Sequence, residues 1–314
     1  MISKDPDLHS SSKYYLKRFE GDVGEWFLEV QKKSFLRALF GLSRITELNI
    51  KVALQKLAQK NIYLKSVLDV GGGHGQIAKI IEEVNKIIEE KIILEEKRLK
   101  EENEAVFQKT GERPKDIRER KGSLEFKLSS PIQKIKINIV GTSRVAFEVS
   151  DEEIKDYKRI VSSFEQIYDQ GVPVFDKSFD LVTCFRILPH YDDWKELIRE
   201  LCRVSNHYVI IDFPTKRSFN IFYPLLFKFK KGVEKSTREY LIFSEGEIIE
   251  EFKKNGFILE SRIPQFFMPM GAYRAISKKL KLQIISELIE DFFELTGLTK
   301  LFGSPVISCF KRRD

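Results

Sequence analysis

The stretch Ser66-Val67-Leu68-Asp69-Val70-Gly71-Gly72-Gly73-His74-Gly75-Gln76 decides the fold. Residues 66–70 form a short apolar strand, and a helical run begins at about Gln76. The glycines between them supply positive φ angles and let a ligand approach backbone where a Cβ would clash. The helix that follows points free N–H groups and its positive dipole end at the turn. In an open α/β sheet this is where ligands bind, beyond the carboxyl ends of the strands.

Outward from this turn, strands and helices alternate. IKINIV (135–140), RIV (159–161), FDLVTCF (179–185) and YVIIDF (208–213) read as further strands. WKELIRELCRV (194–204) is an amphipathic helix that Asp192 or Asp193 caps, and SEGEIIEEFKKNG (244–256) is a capped helix ending at Gly256. FILESRI (257–263) and SPVISCF (304–310) complete the strands. This alternation predicts a doubly wound, mostly parallel seven-stranded α/β sheet of Rossmann-like type, with an N-terminal helical extension and helical insertions. The extension or cap covers residues 1–60, with helices from Ser12 to about Leu42 and from Ser43 to about Gln59, and the main domain covers 61–314. Within that domain the Glu- and Lys-rich residues 84–130 predict a sheet-covering helix prolonged into a solvated arm that ends near Gly111 and Pro114. Residues 265–302 form a second, helical insertion.

Two ligand classes use such a turn. Gly73-x-Gly75-x-x-Ala78 satisfies a dinucleotide fingerprint on letters alone. Asp69, at the strand end before the glycines, would repel a pyrophosphate but suits a ligand bearing an ammonium and a sulfonium. Asp69-x-Gly71-x-Gly73-x-Gly75 resembles the first motif of class I S-adenosylmethionine-dependent methyltransferases. The run 175–194, with an acidic residue opening the fourth strand and His190 at the histidine position, resembles a later motif of that family.

The resemblance implies S-adenosylmethionine as cofactor, and it spans roughly residues 61–262. It implies that Asp69, Gly71, Gly72, Gly73 and Gly75 hold the methionine end, with His74 as a pocket wall. The family places an acidic residue after its second strand to grip the ribose; here Thr142 and Ser143 stand there, offering uncharged hydrogen bonds. Ser163 and Phe164 follow the third strand, where the family faces the adenine, and Phe185 and Arg186 stand where it lines the methionine pocket. N-terminal extensions in this family close over the cofactor. Tyr14, Tyr15, Arg18, Phe19 and Gln31 offer polar or aromatic tips for that role, with Tyr15 and Arg18 favoured.

Methyl transfer is an in-line displacement in which proximity supplies most of the acceleration. For a hydroxyl acceptor a nearby base helps. His190 is the first candidate, because imidazole titrates near neutrality, and Asp212 at the end of the fifth strand is the second. The segment 213–232 combines aromatics with Lys and Arg, and is expected to form a lid over an apolar acceptor or to touch a bilayer peripherally. No Asn/Asp-Pro-Pro-aromatic turn follows the fourth strand, where the chain reads Thr183-Cys184-Phe185-Arg186, and no Pro-Cys pair occurs. DNA is therefore excluded as acceptor. A small-molecule or lipid-like acceptor, methylated at oxygen, nitrogen or carbon, is the leading reading. RNA or protein acceptors stand behind it, as does a non-catalytic cofactor-binding or interaction protein in which the 84–130 arm recruits a partner or a second copy.

Composition bounds the rest. The 314 residues, 42% of them apolar, suffice for one large domain, and the net charge of +7 marks no nucleic-acid binder by itself. Cys184, Cys202 and Cys309 are widely spaced, so neither a disulfide framework nor a metal site is expected. Met1–Tyr15 lacks the apolar core of a signal peptide, and a cytoplasmic protein is expected.

Overall fold

The apolar runs 67–70, 181–184 and 209–213 become strands whose side chains are buried on both faces. In a computed structural model of the chain, residues 19–42, 64–72, 75–110, 135–141, 157–161, 171–222, 240–280 and 283–313 are described. The order is α1 (Gly21–Phe40), β1 (Ser66–Val70), α2 (Gln76–Thr110), β2 (Lys136–Gly141), β3 (Tyr157–Val161) and β4 (Phe179–Cys184). Next come α3 (Trp194–Val204), β5 (Ser205–Phe213), α4 (Glu245–Lys254) and β6 (Phe257–Pro264). The chain closes with α5 (Met270–Leu280), α6 (Gln283–Leu295), α7 (Leu298–Phe302) and β7 (Val306–Arg312).

The seven strands lie in the order β3-β2-β1-β4-β5-β7-β6. β3, β2, β1, β4 and β5 are mutually parallel, and β7 runs antiparallel between β5 and β6. From β1 the order proceeds outward in both directions, so the switch point lies between β1 and β4. One face buries Val67, Leu181, Ile210 and Ile307 against Phe35 and Leu36 of α1 and Ile77, Ile81 and Val84 of α2. The other buries Leu68, Val182, Val209 and Ile211 against Leu197 and Leu201 of α3 and Phe252 of α4. The doubly wound, mostly parallel sheet read from the strand–helix alternation is the one observed.

The caps follow the sequence signals. Asp193 Oδ1 accepts from the Glu196 N–H at 3.4 Å, and Ser244 and Glu247 form a reciprocal capping box on α4. Of the helix expected from Ser12 to about Leu42, residues 12–18 lie outside the described residues; the described helix begins at Gly21, which takes φ +73°. A Cβ on Gly24 would meet the Phe19 carbonyl carbon at 2.2 Å, so the chain doubles back against the helix there. Residues 43–63 lie outside the described residues.

Helix α2 runs unbroken for 35 residues, about 50 Å at the usual rise. Ile77, Ile81, Val84 and Ile88 bury its first half, whereas Ile93 and Leu94 are more than half exposed. Asn85 fastens β2 to this helix: its Nδ2 donates to the Ile135 carbonyl at 2.9 Å and its Oδ1 accepts from the Ile135 N–H at 2.8 Å.

Helices α5–α7 are inserted between the carboxyl end of β6 and the start of β7. Glu290 of α6 ties them together, accepting from the Phe267 N–H, the Tyr273 hydroxyl and, at 2.5 Å, the Thr299 hydroxyl. Phe266 and Tyr273 pack on Phe27 of α1, which joins the N-terminal helix to this insertion. Among the described residues no helix is long and apolar enough to cross a membrane, and no cluster of His, Cys, Asp and Glu has metal-binding geometry.

Candidate active site

The carboxyl edge of the sheet assembles the site from the ends of β1, β4 and β5. Asp69 lies next to Thr183 in the β1–β4 register, and the Thr183 hydroxyl donates to Asp69 Oδ1 at 2.7 Å. The carboxyl group is almost fully buried, and its Oδ2 has no hydrogen-bond partner. Burial without a cation pushes Asp69 up to about 7, against the opposing pull of the Thr183 hydrogen bond.

The chain then turns on glycine. Gly71 has φ +73°, and a Cβ there would lie 2.5 Å from Ile187 Cγ1. Gly75, also at positive φ, donates its N–H to the Gly72 carbonyl at 2.8 Å, and the Lys79 N–H reaches back to the Gly75 carbonyl to open α2. A side chain at Gly71 would therefore displace Ile187 and the turn that follows β1. Gly73 and His74 lie outside the described residues, as do Tyr15, Arg18, Thr142, Ser143, Ser163 and Phe164.

Beyond β4, Arg186 adopts φ +61°, in the left-handed region that costs a non-glycine residue about 1–3 kcal/mol. Its backbone N–H donates to Asp212 Oδ1 at 2.5 Å. Its guanidinium donates to Gln31 Oε1 from α1 and lies 4.2 Å from the centre of the Phe19 ring. Asp212 is buried, and burial raises it to about 6 while the Arg186 charge opposes the rise. The Cys184 thiol is raised by its own burial and further by the Asp69 and Asp212 carboxyl groups. Phe185 turns its ring into the core, 6.0 Å from Phe35.

His190 closes the short 3-10 turn Leu188–His190. Its side chain is exposed, while its N–H donates to the Ile187 carbonyl at 2.9 Å and the neighbouring Pro189 carbonyl accepts from the Leu241 N–H. The structure thus joins Arg186 to Asp212 and Asp69 to Thr183. Thr183 escaped the sequence reading. Its signal was a hydroxyl inside the apolar run of β4, opposite the buried acid of β1.

S-adenosylmethionine carries an ammonium and a sulfonium. An unpaired buried carboxylate oxygen beside a glycine cradle fits such a cation, because the cation supplies the partner that Asp69 lacks.

Comparison with known proteins agrees. No curated protein matches the chain. A magnesium protoporphyrin IX methyltransferase from Synechocystis PCC 6803, solved with bound SAH, is similar to it at 11% identity, with 98% of this chain and 97% of that chain covered and a TM-score of 0.48. A SAM-dependent methyltransferase from Thermotoga maritima is similar at 15% identity, with 93% and 98% covered and a TM-score of 0.41. Another from Aquifex aeolicus shares 13% identity, with 85% and 98% covered and a TM-score of 0.37. The model of the family described as "Methyltransferase domain" matches residues 43–262, well over half of the chain. The chain therefore belongs to the methyltransferase domain family and is an S-adenosylmethionine-dependent methyltransferase of class I.

Proposed function

We propose that this enzyme methylates a small-molecule or lipid-like acceptor at oxygen, nitrogen or carbon. The observation that carries the reading is what surrounds the carboxyl edge beside Asp212. Helices α5–α7 are rooted at that edge, because β6 ends there and β7 begins there. The segment leaving β5 is pinned to the same root: the Thr215 N–H and Asn220 Nδ2 both donate to Ser304 Oγ, at 3.3 and 2.8 Å. Phe219 packs on Phe267, and Trp26 of α1 packs on Phe266 and Tyr273. Aromatic contacts joining three separate segments close this edge over, which favours a small, largely apolar acceptor over a duplex or a folded protein.

Asp69 would balance the positive charge at the methionine end, and the backbone of Gly71, Gly72 and Gly75 would cradle it. Gly73, His74, Thr142, Ser143, Ser163, Phe164, Tyr15 and Arg18 complete the proposed cofactor contacts from outside the described residues. The cofactor supplies an electrophilic methyl group on sulfur. The chain's task is to align the acceptor and, for a hydroxyl, to take its proton. His190, exposed at the edge, is the proposed base; Asp212, already engaged by Arg186, sets the loop and takes a proton only if its second oxygen is reached. Phe185 and Arg186 line the crevice with backbone and guanidinium, respectively.

The test is a panel of small hydroxyl, amine and lipid-headgroup acceptors assayed with labelled S-adenosylmethionine, beside oligonucleotides and protein extracts. Turnover confined to the macromolecules would overturn the acceptor class while leaving the enzyme assignment standing.

A further inference from the structure

Two buried polar atoms tied to the carboxyl ends of β1 and β4 lack a hydrogen-bond partner, and they are of opposite kind. Asp69 Oδ2 is an acceptor and Gln31 Nε2 is a donor. Gln31 is 3% exposed on the inner face of α1. Its amide cannot turn over, because Oε1 accepts from Arg186 Nη2 and exchanging the two atoms would set donor against donor. Arg186 is held in turn by its backbone N–H on Asp212 and by the Phe19 ring beneath its guanidinium. Along the chain, Arg186 stands three residues after Thr183, the residue that holds Asp69. Donor and acceptor are therefore tied to the same strand end.

A buried donor left unpaired costs roughly 1–3 kcal/mol, and a ligand that satisfies it recovers that cost. The cation bonded to Oε1 polarises the amide, so its N–H groups favour an anionic oxygen over a neutral one. An unpaired acceptor carboxylate and an unpaired amide donor tied to one strand end are complementary to a zwitterion. An α-amino acid head carries both halves, an ammonium and a carboxylate.

We propose that Gln31 is a cofactor-binding residue whose Nε2 donates to the carboxylate of the methionine end of S-adenosylmethionine, while Asp69 Oδ2 accepts from the ammonium. This rests on the reading that Asp69 faces that end of the cofactor. The other two unpaired nitrogens lie away from the ends of β1 and β4: Arg37 belongs to an ion pair with Glu294 of α6, and Gln265 follows β6, the outermost strand, three strands from β4.

The test is calorimetric titration of the full chain with S-adenosylhomocysteine and with its decarboxylated analogue, which keeps the ammonium. Gln31→Met should weaken S-adenosylhomocysteine about 10- to 100-fold, the effect of losing a hydrogen bond to a charged group, and leave the analogue unchanged. Gln31→Glu should weaken it further, because carboxylate then faces carboxylate. Asp69→Asn should weaken both ligands alike. Equal losses of both ligands in Gln31→Met, or no loss, would overturn the role of Gln31. An Asp69→Asn variant in which neither affinity changes would instead overturn the placement of Asp69, so the two failures read differently. Unfolding midpoints of both Gln31 variants that match wild type exclude a folding defect, and Gln31→Asn, which keeps the amide but shortens it, should lie between wild type and Gln31→Met.

Discussion

The backbone N–H of Arg186 donates to Asp212 Oδ1 at 2.5 Å, joining the loop after β4 to the end of β5. A residue in the left-handed region is thereby fixed at the carboxyl edge of the sheet. Removing the carboxyl group frees that loop and leaves a buried N–H unpaired. Asp212→Ala should therefore cost about 1–3 kcal/mol in chemical denaturation, and Asp212→Asn should recover most of it through its amide oxygen. Turnover separates the two roles proposed for this acid. A stable but slow Asn variant assigns Asp212 to proton transfer, whereas a fast one leaves it as a clamp.

Asp69 and Asp212 both sit above the usual aspartate range, at about 7 and about 6, because burial disfavours their charged forms. In the unfolded chain both ionise near 3.8, so between about pH 4 and pH 7 the folded state binds more protons. Stability of the cofactor-free protein should therefore fall as pH rises through that window and level off above about 7. Asp69→Asn should flatten the upper part of the decline and stabilise the cofactor-free chain at pH 8, by roughly 1–3 kcal/mol on the scale of an uncompensated buried group. Guanidinium titrations at pH 5 and pH 8 measure it; a wild-type chain more stable at pH 8 contradicts the burial argument.

Gly71 combines φ +73° with a Cβ position 2.5 Å from Ile187 Cγ1. Gly71→Ala should lose at least tenfold in cofactor affinity, since strain of about 1–3 kcal/mol displaces the turn. Ile187→Ala in the same chain should restore part of the loss by removing the steric share and leaving the torsional share. If the double variant binds no better than Gly71→Ala, the contact with Ile187 is not what the glycine avoids.

The long helix should be dispensable past its buried half. Replacing residues 90–125 with a short linker keeps Ile77, Ile81, Val84 and Ile88 in the core and removes Ile93, Leu94 and Phe107, all exposed. Circular dichroism should show a folded chain with less helix, and calorimetry should show unchanged cofactor affinity. Global unfolding of the deletion would mean that the arm supports the sheet.

With a hydroxyl acceptor, His190→Ala should lower turnover by about 10²–10⁴-fold without weakening cofactor binding. The pH–rate profile of the wild type should carry a limb that vanishes in the variant. A profile already flat in the wild type would leave alignment as the whole of the catalysis.

The sequence by itself determined the secondary structure and its order, because those depend on local signals. The apolar runs of β1, β4 and β5, the caps at Asp193 and Ser244 and the glycines from Gly71 to Gly75 each act within a few residues. Asp69 was legible as a candidate site residue for the same reason: its place before the glycines is written in the chain. Tertiary structure alone decided which groups meet. Thr183 reaches Asp69 through strand register, Arg186 reaches Asp212 across two parallel strand ends, and Gln31 reaches Arg186 from a helix 155 residues away. The charge state of Asp69 also followed only from folding, since burial and the absence of a partner for Oδ2 raise it. Hydrogen bonds between distant segments leave no periodic trace in a sequence; they exist only once hydrophobic packing has fixed both ends.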